Sequence, residues 1–205
     1  MGKQPGDKMD EIDEALKKIL PRKRYRHSQG VRYTACALAM AHGADIPKAE
    51  MAGLLHDCAK YMSDKVLYRT SKKYDIDLSE AEERNPALIH AKVGEYFAKT
   101  KYKVTDPEIL SAIRYHTTGR ADMTLLEKIV FTADYIEPMR FKSAHLPEIR
   151  RAAFCDLDEG VYLILSDTLH YLANSTKDID KTTAEAYNFY KEIHDRKSKH
   201  SEDVS

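Results

Sequence analysis

The amino-acid sequence predicts an all-α protein, because helical signals recur along the chain and strand signals do not. Apolar residues repeat at intervals of three and four in most segments, which places them on one face of a helix. Residues that cap helix N-termini stand before several of these segments. No segment shows sustained alternation of apolar and polar residues between turn residues, so we expect no substantial β-sheet.

Capping residues and prolines predict where individual helices begin. Pro47 and Pro107 closely follow Asp45 and Asp106, and proline fits the first turn of a helix. A Ser/Thr/Asp-x-x-Glu spacing, which closes a helix N-terminus, occurs at Thr124 with Glu127, Asp156 with Glu159, and Thr182 with Glu185.

Other residues predict where helices end, which completes the expected architecture. Pro138 and the Thr118–Gly119 step mark helix ends. Together the signals predict helices near residues 9–19, 28–42, 48–59, 63–74, 87–99, 107–116, 124–137, 147–154, 157–173 and 183–196. We expect one helical domain over residues 9–196, with flexible polar tails at 1–8 and 197–205.

Composition excludes several classes of partner. Thirty-three basic residues balance thirty-three acidic ones, so no overall field attracts nucleic acid or an anionic membrane. The longest nearly apolar stretch, Thr34 to Ala41, is far shorter than the ~20 residues that span a bilayer. The polar N-terminus has no signal-peptide pattern, and three cysteines without paired spacing fit small buried residues in a reducing compartment. We therefore expect a cytoplasmic protein.

Ligand-type side chains fall on the buried faces of several predicted helices. In four predicted helices, a histidine or an aspartate lies three or four positions from apolar residues and so shares their face. The four sets are Ile109, Ile113 and His116; His90, Val93 and Phe97; Leu126, Val130 and Asp134; and Ala52, His56 and Ala59. A single inward histidine is more often a hydrogen-bonded core residue, and Asp134 could pair with an arginine or a helix end. As a set, inward histidines and aspartates favour a shared cation such as iron, manganese, cobalt or zinc, rather than calcium.

The adjacent pair His56–Asp57 is the sharpest local feature. Neighbouring side chains on a helix are about 100° apart, so both reach one metal only if the helix end points at it. The pair alone is a weak motif. The ordered set His27, His56–Asp57, His90, His116 and Asp134 is much more specific.

This ordered set resembles the HD superfamily of metal-dependent phosphohydrolases. Longer strings are similar to one branch, the YqeK-type diadenosine tetraphosphate hydrolases. They are His27-Ser-Gln-Gly-Val31, Gly53-Leu-Leu-His-Asp-Cys-Ala-Lys60, His90-Ala-Lys-Val-Gly94, His116-Thr-Thr-Gly119, Ala133-Asp-Tyr-Ile-Glu-Pro-Met-Arg140 and Thr183-Ala-Glu-Ala-Tyr-Asn188. The resemblance runs from about residue 10 to 195.

The resemblance implies a metal site. Its primary ligands would be His27, His56, Asp57 and Asp134, holding iron, with cobalt or manganese as alternatives. Histidines at positions 90 and 116 match residues that either complete a second metal site or touch substrate phosphates. One or two ions are therefore expected.

Residues around the ligands are candidates for holding phosphate. Lys60 follows His56 by one helical turn, so its ammonium can reach an anion at the metal. For Lys60 or Arg140 taken alone, a solvated surface charge is the simpler explanation; their place in the motif strings favours phosphate binding. The candidate substrate-binding residues are Arg24, Lys60, His90, His116, Thr117, Thr118, Arg140 and Thr183.

The expected reaction is symmetrical hydrolysis of diadenosine tetraphosphate to two ADP. Asp57 would bind metal and orient the nucleophile, while Lys60 and Arg140 would offset phosphate charge. A dinucleoside polyphosphate or ADP is thus the expected ligand, and a homodimer is left open. The alternatives are a nucleoside mono- or diphosphate phosphohydrolase, a non-catalytic nucleotide sensor and, least favoured, a helical nucleic-acid-binding module.

Overall fold

The computed structural model describes residues 5–141, 143–173 and 179–203, and every regular element in these ranges is helical. The all-α prediction is therefore confirmed. In chain order the elements are α1 (Pro5–Ile19), α2 (Arg22–His42), α3 (Ile46–Leu55), α4 (Asp64–Lys73), α5 (Glu80–Arg84), a 3₁₀ turn (Pro86–Ile89), α6 (His90–Thr100), α7 (Pro107–Tyr115), α8 (Leu125–Ile136), α9 (Leu146–Cys155), α10 (Leu157–Ala173) and α11 (Lys181–Asp203).

Most predicted capping residues cap the helices that they precede. The carboxylate of Asp45 accepts from the backbone N–H of Lys48, and that of Asp106 accepts from Glu108 and Ile109. Thr124 and Glu127 form a reciprocal capping box at the start of α8. These bonds satisfy N–H groups that have no partner inside the helix.

Several helix boundaries differ from the prediction. Helix α2 starts at Arg22, six residues before the predicted start. The basic residues Lys23, Arg24 and Arg26, which precede His27, are therefore helical. Helix α3 ends at Leu55, and residues 56–61 form consecutive turns. The prediction missed α5, although Ser79 and Glu82 form a capping box there. At α11 the cap is Asp180, which accepts from Thr182 N–H at 2.9 Å; Thr182 is inside the helix.

The outer ends of the chain also depart from the predicted helix bounds. Helix α1 begins at Pro5, four residues earlier than predicted, and α11 continues to Asp203. Residues 1–4 and 204–205 lie outside the described residues, so the predicted tails remain an expectation there.

The core lies between α2, α3, α7, α8 and α10. Leu38, Leu54, Ile113, Ile129 and Leu165 have no exposed surface. Burying a side chain of this size stabilises the fold by about 1.5–3 kcal/mol. Helices α2 and α3 approach closely because residue 53 is glycine: a Cβ there would lie 3.0 Å from the Cα of Arg32.

The expectation of three buried cysteines is wrong at one position. Cys58 is fully buried and Cys36 is partly buried, whereas Cys155 is exposed at the last position of α9. Helix ends face solvent more often than helix middles, and sequence periodicity does not mark this difference. None of the helices in the described ranges is long and apolar enough to cross a bilayer.

Candidate metal centre

Five helices and the residues directly after them bring the four predicted metal ligands, together with His90 and His116, to one buried point. His27 lies within α2 and Asp134 within α8. His56 and His116 are the residues that directly follow α3 and α7, and His90 is the first residue of α6. Helix α3 ends at Leu55, so His56 and Asp57 lie just beyond its C-terminal end. Both side chains reach the cluster from there.

One group of potential ligand atoms consists of His27, His56 and Asp134. The Nε2 atoms of His27 and His56 are 3.2 Å apart. Asp134 Oδ1 lies 3.0 Å from His27 Nε2 and 3.9 Å from His56 Nε2. Ligand atoms this close, from α2, α8 and the residue that follows α3, can contact a single cation.

A second group adjoins the first and consists of His56, Asp57 and His116. His90 lies beside it, with Nε2 at 3.1 Å from His116 Nε2 and 3.2 Å from Asp57 Oδ1. The two oxygens of Asp57 face different neighbours. Its Oδ1 faces His90 and His116, while its Oδ2 lies 3.7 Å from His56 Nε2 and 3.9 Å from His27 Nε2.

The hydrogen bonds of the histidines fit metal binding. The Nδ1 atoms of His56, His90 and His116 donate to the backbone carbonyls of Gly53, Ala87 and Ile113 at 2.6–2.7 Å. A neutral ring that donates through Nδ1 has its lone pair on Nε2. These lone pairs converge on one another, an arrangement that a cation would stabilise.

The surroundings favour the protonation states that metal ligands need. Burial lowers the pKa of His56 to about 4, and burial also lowers the pKa of His90. Burial would raise the pKa of Asp57, but the charge that His56 carries when protonated, and the hydrogen bonds that His116 and His90 then donate, outweigh it and lower the pKa well below its usual value. Neutral imidazole and ionised carboxylate are the forms that bind a metal.

His27 and Asp134 form a coupled pair within the cluster. Burial alone would lower the pKa of His27, but the hydrogen bond and charge of Asp134, with a hydrogen bond to Glu137, raise it. For Asp134, the hydrogen bond from His27 and the charge of His56 and Arg140 outweigh burial and lower the pKa. Asp134 is therefore ionised, and a bound cation would replace the proton on His27 Nε2.

Three cationic side chains surround the cluster. Arg24 Nη1 lies 3.3 Å from Asp57 Oδ2, and Arg140 Nη2 lies 2.7 Å from Asp134 Oδ1. The ammonium of Lys60 lies 2.9 Å from His90 Nδ1 and donates to the carbonyl of Ala87. Burial lowers the pKa of Lys60. All three cations thus lie against the cluster, where a bound phosphate would meet them.

The three threonines differ in their placement. Thr117 Oγ1 lies 3.0 Å from His116 Nε2 and 3.2 Å from His90 Nε2, at the edge of the cluster. Thr118 donates to the carbonyl of Gly119, which has a positive φ of 64° and closes the turn after His116. Thr183 is buried in the first turn of α11, and among the described residues no hydrogen bond joins it to the cluster.

Glu137, which directly follows α8, is a further residue of the site that was not predicted from the sequence. Its side chain is 1% exposed, and Oε1 lies 3.0 Å from His27 Nδ1. The available signal was its spacing: Glu137 follows Asp134 by three residues, so the two carboxylates share one side of the helix end.

A helical domain that directs histidine and aspartate side chains from five helices to one buried point defines a class of metal-binding hydrolase domains. The comparison with protein families agrees: the HD domain family matches residues 24–139, more than half of the chain. The chain belongs to the HD domain family.

Known relatives cover almost the whole chain. The Bacillus subtilis protein named symmetrical bis(5'-nucleosyl)-tetraphosphatase is 37% identical over 88% of this chain and 96% of its own length. The protein of that name from Halalkalibacterium halodurans is 38% identical over 85% and 92%. A crystal structure from Clostridium acetobutylicum, described as a predicted HD superfamily hydrolase involved in NAD metabolism, is 36% identical with a TM-score of 0.86, covering 90% of this chain and 97% of its own.

Proposed function

We propose that this protein is a metal-dependent hydrolase that cleaves diadenosine tetraphosphate symmetrically into two ADP. The observation that carries the proposal is the buried cluster of converging imidazole and carboxylate groups with Arg24, Lys60 and Arg140 against it. Such a cluster fits a metal and a polyphosphate together. The relatives that match nearly the full chain carry the name of this activity.

His27, His56, Asp57 and Asp134 would hold the metal. His90 and His116, with Asp57 Oδ1, would hold a second ion or contact substrate phosphate. We propose iron, because histidine and carboxylate donors suit it, with cobalt or manganese as alternatives. A divalent metal bound here supplies Lewis-acid activation of water and of a phosphoryl oxygen.

The protein's own residues would bind and orient the phosphates. Lys60 and Arg140 approach the cluster from different sides, so both can offset charge on non-bridging oxygens. Asp57, fixed between the histidines, would orient the attacking water toward an inner phosphorus. The ADP leaving group is a weak base, so the reaction does not depend on a strong general acid.

Symmetrical cleavage also requires a place for an ADP-sized half of the substrate. The Thr117–Thr118 turn borders the cluster and offers hydroxyl groups for phosphate oxygens. Arg24, on α2, would steer the polyphosphate toward Asp57 and its metal. Thr183 remains proposed for contact with the nucleotide through α11. We further propose a cytoplasmic location, and a homodimer remains one option for assembly.

Comparative turnover distinguishes this function from its alternatives. Protein loaded with Fe²⁺, Co²⁺ or Mn²⁺ is incubated with diadenosine tetraphosphate, AMP, dAMP or ADP. We expect loss of the dinucleotide and negligible phosphate release from the mononucleotides. Phosphate release from AMP, dAMP or ADP, with the dinucleotide intact, would indicate a mono- or diphosphate phosphohydrolase. Binding of the dinucleotide without turnover under any metal would indicate a sensor.

A further inference from the structure

We propose that Glu137 is a positioning residue, whose carboxylate fixes the ring of His27 so that Nε2 is presented to the metal. This inference rests on the metal centre of the proposed function, and it does not depend on which phosphate ester is cleaved. It concerns one ligand, because His27 is held differently from the other histidines.

The four histidines of the cluster differ in their Nδ1 partner. His56, His90 and His116 each donate to a backbone carbonyl three residues earlier in the chain. His27 instead faces the carboxylate of Glu137, 110 residues away in sequence. A carboxylate is a stronger acceptor than a carbonyl, and such a partner makes the imidazole a better metal ligand.

Both oxygens of Glu137 are engaged by donors. Oε1 accepts from His27 Nδ1 at 3.0 Å, and Oε2 accepts from the backbone N–H of Met139 at 2.6 Å. Arg150 holds the same segment by donating to the carbonyls of Ile136, Glu137 and Arg140. Because both oxygens of Glu137 accept hydrogen bonds, this geometry holds a proton on His27 Nδ1, and a cation at the cluster would bind Nε2 in place of the proton there.

Helix α2 provides the space for this carboxylate through Gly30, one turn after His27. A Cβ at position 30 would lie 2.5 Å from Glu137 Oε2 and 3.2 Å from its Cδ. Both oxygens of Glu137 are hydrogen-bonded, so moving the carboxylate away from position 30 would lengthen or break these bonds. Any larger residue at position 30 would push the Glu137 carboxylate away from His27 Nδ1.

The Glu137→Gln variant tests the proposal because it changes one atom. A glutamine offers one oxygen, whereas His27 Nδ1 and Met139 N–H both need an acceptor. If the oxygen serves Met139, the amide NH₂ faces His27 and favours the tautomer with the proton on Nε2, which blocks the metal. If it serves His27, the Met139 N–H loses its partner and the carboxylate charge is gone.

The measurement is Co²⁺ affinity of metal-free protein, by competition with a chelator, with the Co²⁺ absorption spectrum recorded. Glu127→Gln is the matched control, since Glu127 is equally buried at the other end of α8 and is bonded to Thr124 N–H and Arg120. We expect Glu137→Gln to weaken Co²⁺ binding about 10–100-fold and alter its spectrum. Glu127→Gln should leave both unchanged.

A second pair of variants tests the same contact from α2. Gly30→Ala should weaken Co²⁺ binding, whereas Gly94→Ala should not, because a Cβ at position 94 meets its nearest neighbours at 3.5 Å or more. Thermal melting of each metal-free variant separates this effect from general loss of folding. Wild-type Co²⁺ affinity in Glu137→Gln or in Gly30→Ala would overturn the positioning role. Failure of the wild-type protein to bind Co²⁺ would overturn the metal centre itself.

Discussion

Arg140 Nη2 lies 2.7 Å from Asp134 Oδ1, the same oxygen that lies 3.0 Å from His27 Nε2. A second bond joins Arg140 Nε to the backbone carbonyl of Asp134. The guanidinium is therefore held beside the metal-binding group, and its side chain is 46% exposed. This arrangement suits a cation that meets substrate phosphate at the edge of the centre.

The first prediction concerns Arg140. Arg140→Ala should lower the turnover rate on the order of 10²-fold, because charge on the phosphoryl oxygens loses a fixed cation. Product identity should stay the same. Arg140→Lys should recover only part of the rate, because a single ammonium nitrogen does not reproduce the spacing of Nε and Nη2, which bond to two separate oxygens of Asp134.

Steady-state kinetics check this prediction, with Arg114→Ala as the matched control. Arg114 forms an ion pair of equal length, 2.7 Å, with Glu95 and makes no contact with the cluster among those described. A rate for Arg140→Ala equal to that of Arg114→Ala would show that Arg140 contributes only surface charge.

The second prediction concerns Asp57, whose two oxygens face both groups of histidines. Asp57→Ala and the isosteric Asp57→Asn should abolish turnover, because the carboxylate charge among the imidazoles is lost. The helical signal in circular dichroism should largely survive, since the surrounding helices bury their own apolar faces. Full activity and full metal content in either variant would mean that the active site lies elsewhere.

The third prediction concerns metal removal. A metal that binds only the native state stabilises it by mass action, by about 2.7 kcal/mol at a free concentration 100 times the Kd. For a domain of this size the melting temperature should then rise by roughly 5–11 °C. Calorimetry before and after chelation measures the shift. An unchanged melting curve, once metal analysis shows removal, would indicate a polar cluster that binds no metal.

The fourth prediction concerns Arg150, which donates to three backbone carbonyls after α8. Arg150→Ala should release the segment that carries Glu137 and Arg140, and so reduce both Co²⁺ affinity and turnover by about tenfold or more. Arg196→Ala is the control, because exposed Arg196 bonds to a carbonyl within its own helix α11. Equal Co²⁺ affinity in the two variants would contradict this role for Arg150.

Local signals in the sequence were sufficient for the helical architecture and for most helix starts. Asp45, Asp106 and Thr124 act as caps because a capping bond spans only two or three residues, which sequence spacing shows directly. Boundaries without such a bond were less accurate. The start of α2 has Pro21 before it and no side-chain cap, so the sequence offered no polar marker there.

Long-range contacts explain what the sequence could not show. The motif order placed His27, His56 and Asp134 together, but nothing in a single sequence states that Glu137 contacts His27 across 110 residues. The close approach of Lys60 Nζ to His90 Nδ1 likewise depends on how the turns after α3 meet α6. Thr183, assigned by resemblance alone, has no described hydrogen bond to the cluster.

The most direct test of the account is the identity of the nucleotide products from diadenosine tetraphosphate. A short incubation with metal-loaded protein is resolved by chromatography, with Asp57→Asn protein as the blank. We expect ADP as the sole nucleotide product, two per substrate consumed, because water attacks an inner phosphorus and the central P–O–P bridge breaks with ADP as the leaving group. ATP and AMP in equal amounts would contradict this mechanism, since they require cleavage of an outer P–O–P bridge instead of the central one.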